Sequence, residues 1–290
     1  WMPILGVIRT ARDLPSRAGA RVSAFHHEEL RDEPLTEHGI VNASEWLGMD
    51  VPEVYSAELS EFVFAAGVKL LQDFKPDVMY LSTTDYIQHK YAPDQKGALD
   101  FYEMFDKYLA QLDEMGAAIV VTADHGMKPK HLADGSPSVV YIQDLLDEWL
   151  GEAAARVILP ITDPYVVHHG ALGSFATIYL AEELNKPVRD FLATINGLES
   201  VLGNIEGAEL FDLAPDRTGD IIVVSKQRKV LGTTEERHDL SGLEVPLRSH
   251  GGVTEQCVPL VISQPVSDID PARRLRNFDI YDIALNHTAA

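Results

Sequence analysis

Only one cysteine, Cys257, occurs in the 290 residues. That excludes an intramolecular disulfide framework and any thiolate-rich zinc knuckle. It also points to a reducing compartment, with the cytoplasm as the expected location. Cations are scarce as well: 24 Lys and Arg stand against 45 Asp and Glu, for a formal net charge of −21 and a sequence pI near 4.8. This balance argues against nucleic acid and against an anionic membrane as partner. No apolar run reaches the roughly 20 residues of a membrane span, and residues 1–20 read without a signal-peptide core. An anionic substrate would have to overcome the global field through local positive charge, which bound divalent metal supplies.

What the chain does have is a hydrophobic content of 46% and alternating strand-like and helical segments, which favours α/β over all-β. Residues 1–36 differ in texture, with Arg9, Arg12, Arg17 and Arg21 among Ala, Pro, Ser and Gly. An atypical or loosely ordered start is expected there, apart from one strand at Pro3-Ile4-Leu5-Gly6-Val7-Ile8. A short helix is expected around Glu45-Trp46-Leu47. Ser56 then caps a helix through Phe74 with Leu59, Phe62, Val63, Leu70, Leu71 and Phe74 on one stripe, and Pro76 marks its end. Residues 77–83 read as a buried strand, about 96–115 as a helix, and 117–121 as a second strand. Strand, helix, strand in this order is a parallel crossover, and ligand groups in open parallel sheets gather beyond the strands' carboxyl ends.

Later segments read as an additional α+β lobe. Residues 139–150 are expected to be helical, 165–169 and 175–180 to pair as a hairpin around Gly170 and Gly173, and Pro187 to start a helix running to about Leu202. Residues 220–225 and 259–263 read as strands, the latter buried, and 278–286 as a closing helix. The expected organisation is a metal-binding α/β core, 37–135 and 246–290, with residues 136–245 as an inserted cap lobe.

Three stretches carry the chemistry: Asp85-Tyr86-Ile87-Gln88-His89, Val120-Val121-Thr122-Ala123-Asp124-His125-Gly126-Met127, and Arg248-Ser249-His250-Gly251-Gly252. If a helical turn follows the strand, Asp85 and His89, four apart, share a face and grip one cation. His250, in a glycine-flanked loop, is the best candidate for a third ligand. Mixed imidazole and carboxylate ligation suits Zn²⁺ and also Mn²⁺ or Fe²⁺, and three protein ligands leave one position open. Asp124 and His125 would begin a second site, because two metals about 4 Å apart clamp an in-line displacement at phosphorus. Neighbouring strand side chains point to opposite faces, so Asp124 and His125 serve one site only if the backbone turns, which Gly126 makes easy. Each piece alone also reads as solvated loop polarity. Thr83, Thr84 and Thr122 near the strand ends read more simply as β-formers bonded to backbone. His168 and His169 read as a polar hairpin tip with one buried His. Lys128 and Lys130 are solvated loop lysines or a source of positive potential, and Cys257 a buried strand residue.

The order and strand-end placement of these stretches, with Glu53-Val54-Tyr55 and Leu59-Ser60-Glu61-Phe62-Val63-Phe64, resemble the alkaline phosphatase superfamily and, within it, the phosphonoacetate hydrolases. The resemblance implies an alkaline-phosphatase-like, mainly parallel sheet flanked by helices, and zinc-dependent hydrolysis of the C–P bond of phosphonoacetate to acetate and phosphate. It implies two zincs, Asp85, His89 and His250 holding one and Asp124 and His125 part of the other. The family's strand-end Asp and Thr nucleophile have no counterpart before Glu37. The chain is therefore expected to be truncated, with no catalytic nucleophile assigned, one zinc held well and turnover impaired. In place of a Lys-bearing substrate-binding stretch stands Thr10-Ala11-Arg12-Asp13-Leu14, so Arg12, with Arg248, is the substrate-binding candidate; guanidinium matches carboxylate and phosphonate geometry. The expected partners are a small anionic phosphonate and a second copy in a homodimer. A nucleotide pyrophosphatase/phosphodiesterase of the same superfamily, a catalytically silent metal-binding fragment and a metal-free scaffold are the alternatives.

Overall fold

Alternate side chains of the strand β3 (Ala118–Ala123) enter two different cores, which explains why its sequence is apolar without a break. Ile119 and Val121 join a cluster with Phe62, Phe64, Leu70, Leu71, Phe105 and Leu112, while Val120, on the other face, packs with Ile280, Ile283 and Ala284. In this computed structural model residues 4–9, 40, 42–161 and 169–288 are described. The described residues up to Asp124, together with those from Val258 on, form one unit, and His125–Cys257 form a second.

The first unit is built on a four-stranded sheet in the order β12-β3-β1-β2, with β1 at Ile4–Arg9, β2 at Val78–Ser82 and β12 at Leu260–Ile262. Every neighbouring pair is antiparallel, so among the described residues the expected mainly parallel sheet is not found. β2 and β3 do run in the same direction, since each is antiparallel to β1, but β1 lies between them. A crossover helix fixes strand direction and not adjacency. That helix, Lys96–Glu114, stands where its periodicity placed it. The helix Ala57–Phe74 begins where Ser56 accepts from the Leu59 N–H at 3.3 Å, a standard N-cap bond. It approaches β2 closely at Gly67, where a Cβ would run into the Leu81 side chain. β12 is an edge strand with Val261 57% exposed, not the buried strand expected. Its pairing with β3 places it at one end of the sheet, where only one side of the strand has a ladder partner. The chain closes through short helical turns from Asn277 to His287.

The second unit holds an antiparallel sheet β6-β7-β9-β8, formed by Ala155–Ile158, Phe175–Leu180, Ile221–Ser225 and Leu198–Gly203. Among the described residues the only parallel ladder joins β5 (Val139–Tyr141) to β10 (Val230–Gly232). The segment expected to be one helix from 139 is thus a strand followed by the helix Ile142–Leu150, because Val139, Val140 and Tyr141 are strand formers with a ladder partner available. β7 pairs with β6, and the hairpin partner expected at 165–169 lies, apart from His169, outside the described residues. Pro187 sits inside the helix Glu182–Leu192 instead of starting one. Burial decides this: Val188 and Leu192 are fully buried one turn apart, and acidic Glu182 and Glu183 suit the first turn. Among the described residues no helix is long and apolar enough to cross a membrane.

Candidate metal centre

In the first unit, β2 ends at Ser82 and the chain turns into the short helix Tyr86–Lys90, with Asp85 at its N-cap. The His89 N–H donates to the Asp85 carbonyl at 3.1 Å, and this single turn sets the imidazole over the carboxylate. His89 Nε2 lies 3.1 Å from Asp85 Oδ2, and His89 is 3% exposed. Two donors each about 2.0–2.1 Å from one tetrahedral ion are separated by about 3.3–3.4 Å. The pair as it stands therefore fits one zinc with little adjustment. Asp124 directly follows β3. Burial pushes the Tyr80 phenol up, its hydrogen bond with Ser82 works the other way, and the Asp124 carboxylate adds to the rise.

In the second unit, His125 and His250 stack face to face, ring centroids 3.6 Å apart and planes within 7°. His125 Nδ1 is 3.0 Å from the Gly126 carbonyl oxygen. On the other side the strand β11 (Arg248–Ser249) pairs with β4 (Lys128–Pro129), Arg248 opposite Pro129 and Ser249 opposite Lys128. Ser249 Oγ donates to the Leu172 carbonyl at 2.6 Å, and the His250 carbonyl accepts from the Ser174 N–H at 2.8 Å. These bonds hold the backbone on both sides of the His250 ring.

The same two loops carry a buried ion pair that sequence reasoning missed. Lys130 is 0% exposed and Glu255 1%. Lys130 Nζ is 3.3 Å from both Glu255 carboxylate oxygens and donates to Ser174 Oγ at 2.7 Å and to the Gln227 carbonyl at 2.8 Å. Burial pulls its ammonium below the usual lysine range, and Glu255 opposes that shift. Lys130 is therefore neither a solvated loop lysine nor an anion-facing one: an ammonium has three donors, and all are engaged within the protein. Its partner is 125 residues away, a separation that no local pattern reports.

The remaining candidates fall as follows. Thr122 is fully buried and its hydroxyl donates to the Pro259 carbonyl at 2.8 Å. Thr83 is buried, as is His169 at 5% exposure. Cys257, expected in a buried strand, is exposed and precedes β12. Its prediction followed from the apolar run after it, and the strand begins only at Leu260. Arg12 and His168 lie outside the described residues.

Residues 16–252 match the family Type I phosphodiesterase / nucleotide pyrophosphatase. Among solved structures, the chain is similar to phosphonoacetate hydrolase from Sinorhizobium meliloti 1021 in complex with phosphonoformate, at 62% identity and TM-score 0.86. The match covers 91% of this chain and 64% of that one. The complex of the same hydrolase with phosphonoacetate matches at the same identity and coverage, with TM-score 0.85. This chain thus spans less than two thirds of the length of those proteins. Inactive murine ectonucleotide pyrophosphatase / phosphodiesterase 5 with AMP matches at 19% identity and TM-score 0.53, over 82% of this chain and 62% of that one, a likeness of fold.

Proposed function

The chain belongs to the type I phosphodiesterase / nucleotide pyrophosphatase family, in the alkaline phosphatase superfamily, and from that premise we propose that it carries the zinc-holding part of a phosphonoacetate hydrolase. The observation that carries this reading is the 62% identity over 91% of the chain to a hydrolase of that name. The reaction is cleavage of the C–P bond of phosphonoacetate to acetate and phosphate. Asp85 and His89, with His250, would hold one zinc, and Asp124 and His125 would be part of the second. Residues 37–135 and 246–290 serve as the metal-binding core, and 136–245 as a cap lobe.

Bound zinc would supply Lewis-acid stabilisation of the charge that develops on phosphoryl oxygens. The protein's own share is to fix its donors: the Asp85–His89 pair is preset by one helical turn, and the His125–His250 pair by a ladder and a buried brace. Overall one water is consumed: its oxygen ends bonded to phosphorus as the C–P bond breaks. The electron pair stays on carbon, where the neighbouring carboxylate delocalises it as an enolate, and that enolate takes up a proton from solvent to give acetate. Arg248 and Arg12 are the proposed contacts for that carboxylate, and such contacts favour the transition state over the ground state. No residue is assigned as nucleophile.

The test is calorimetric titration of phosphonoacetate into the zinc-loaded chain, followed by a phosphate-release assay with a nucleotide phosphodiester in parallel. Zinc-dependent binding of phosphonoacetate, lost in His250→Ala, supports the reading, with turnover expected to be slow. Binding or cleavage of the diester with none of phosphonoacetate would replace it with the phosphodiesterase activity.

A further inference from the structure

We propose that Lys130 and Glu255 are positioning residues for the metal centre, a buried clamp that joins the loop carrying His125 to the loop carrying His250. The inference rests on reading those two histidines as zinc ligands, and it concerns how they are held.

Glu255 contacts both loops with different atoms. Its backbone carbonyl accepts from the Gly126 N–H at 2.6 Å, immediately after His125, and its Oε2 accepts from the Gly252 N–H at 2.7 Å, two residues after His250. Lys130 neutralises that carboxylate and reaches the His250 backbone by a second route, through Ser174, whose N–H donates to the His250 carbonyl. The approach is tight: a Cβ at Gly126 would lie 3.3 Å from the Glu255 carbonyl oxygen, and one at Gly252 would lie 2.8 Å from Glu255 Oε2, so either would make Glu255 shift.

A buried ion pair is a poor device for stability, since apolar residues of similar volume often replace it without loss. Orientation of ligands from behind is a role that apolar residues cannot fill. Groups hydrogen-bonded directly to a ligand side chain typically contribute 10- to 100-fold in metal affinity, and a pair that acts on the ligand loops' backbone is expected at the lower end of that range. The clamp therefore predicts a separation between folding and zinc binding.

Wild type and the variants below test it, each measured for zinc affinity by competition with a chromophoric chelator, for the visible spectrum of the cobalt form and for the apo thermal midpoint. The double variant Lys130→Met with Glu255→Leu removes both charges and the Gly252 acceptor. It is expected to fold like wild type yet bind zinc about tenfold or more weakly, with an altered cobalt spectrum. Lys130→Met with Glu255→Gln keeps a carbonyl acceptor for Gly252 and is expected to recover zinc affinity to within about threefold of wild type. A merely structural pair would not separate Leu from Gln in this way. Wild-type zinc affinity and cobalt spectrum in the folded Leu variant overturn the clamp. If that variant does not fold, Gly252→Ala carries the same comparison, because its Cβ displaces the carboxylate: about tenfold weaker zinc supports the clamp and unchanged affinity overturns it. His250→Ala separates the two claims. Loss of zinc there with unchanged affinity in the clamp variants defeats the clamp alone, whereas unchanged zinc in His250→Ala defeats the ligand reading and the clamp with it.

Discussion

His125 lies flat against His250, with ring centroids 3.6 Å apart. The nitrogens of both rings thus emerge at the edges of one stack, and their direction is set by the two loop backbones. Gly251 follows His250 with φ at +97°, in a region that L side chains rarely adopt, and a Cβ there would lie 3.3 Å from the Ser174 nitrogen.

Gly251→Ala is accordingly expected to destabilise the second unit by about 1–2 kcal/mol and to disturb the ring of His250. Urea denaturation measures the first effect. The histidine ring resonances in an NMR spectrum report the second, and an unshifted His250 signal would contradict the coupling.

Phe64 and Phe74 provide a contrast within one helix. Phe64 is fully buried, edge-on to Phe105 with centroids 4.8 Å apart, whereas Phe74 is 41% exposed. Phe64→Ala is expected to cost about 3–5 kcal/mol in chemical denaturation, and Phe74→Ala less than about 1 kcal/mol.

Tyr108 sets an alkaline limit on the first unit. Its hydroxyl donates to Glu61 Oε1 at 3.0 Å, and burial together with that carboxylate pushes the phenol up to about 12 from 10.0. The folded state keeps the proton where the unfolded chain has lost it, so the contribution is present below pH 10 and is lost as pH rises from 10 towards 12. Tyr108→Phe is expected to show a shallower fall in thermal midpoint over that window. An identical pH dependence would contradict the assignment.

Local order along the chain was legible where one rule acted alone. Ser56 as a cap, the helix from Lys96, and Asp85 four residues before His89 followed from capping and periodicity. The failures came where distant partners decided the outcome. Pro3–Ile8 reads as a strand from its own residues, yet the place of β1 (Ile4–Arg9) between β2 and β3 is a matter of pairing. Val139–Tyr141 is a strand because Val230–Gly232 lies beside it. Lys130 resembles any loop cation until Glu255, Ser174 and Gln227 surround it.

The most direct test of the account is zinc per chain in protein purified without chelator and dialysed against trace metal. The account predicts about one tightly held zinc, lost in both His89→Ala and His250→Ala while each variant stays folded. Zinc content unchanged by both substitutions would contradict it.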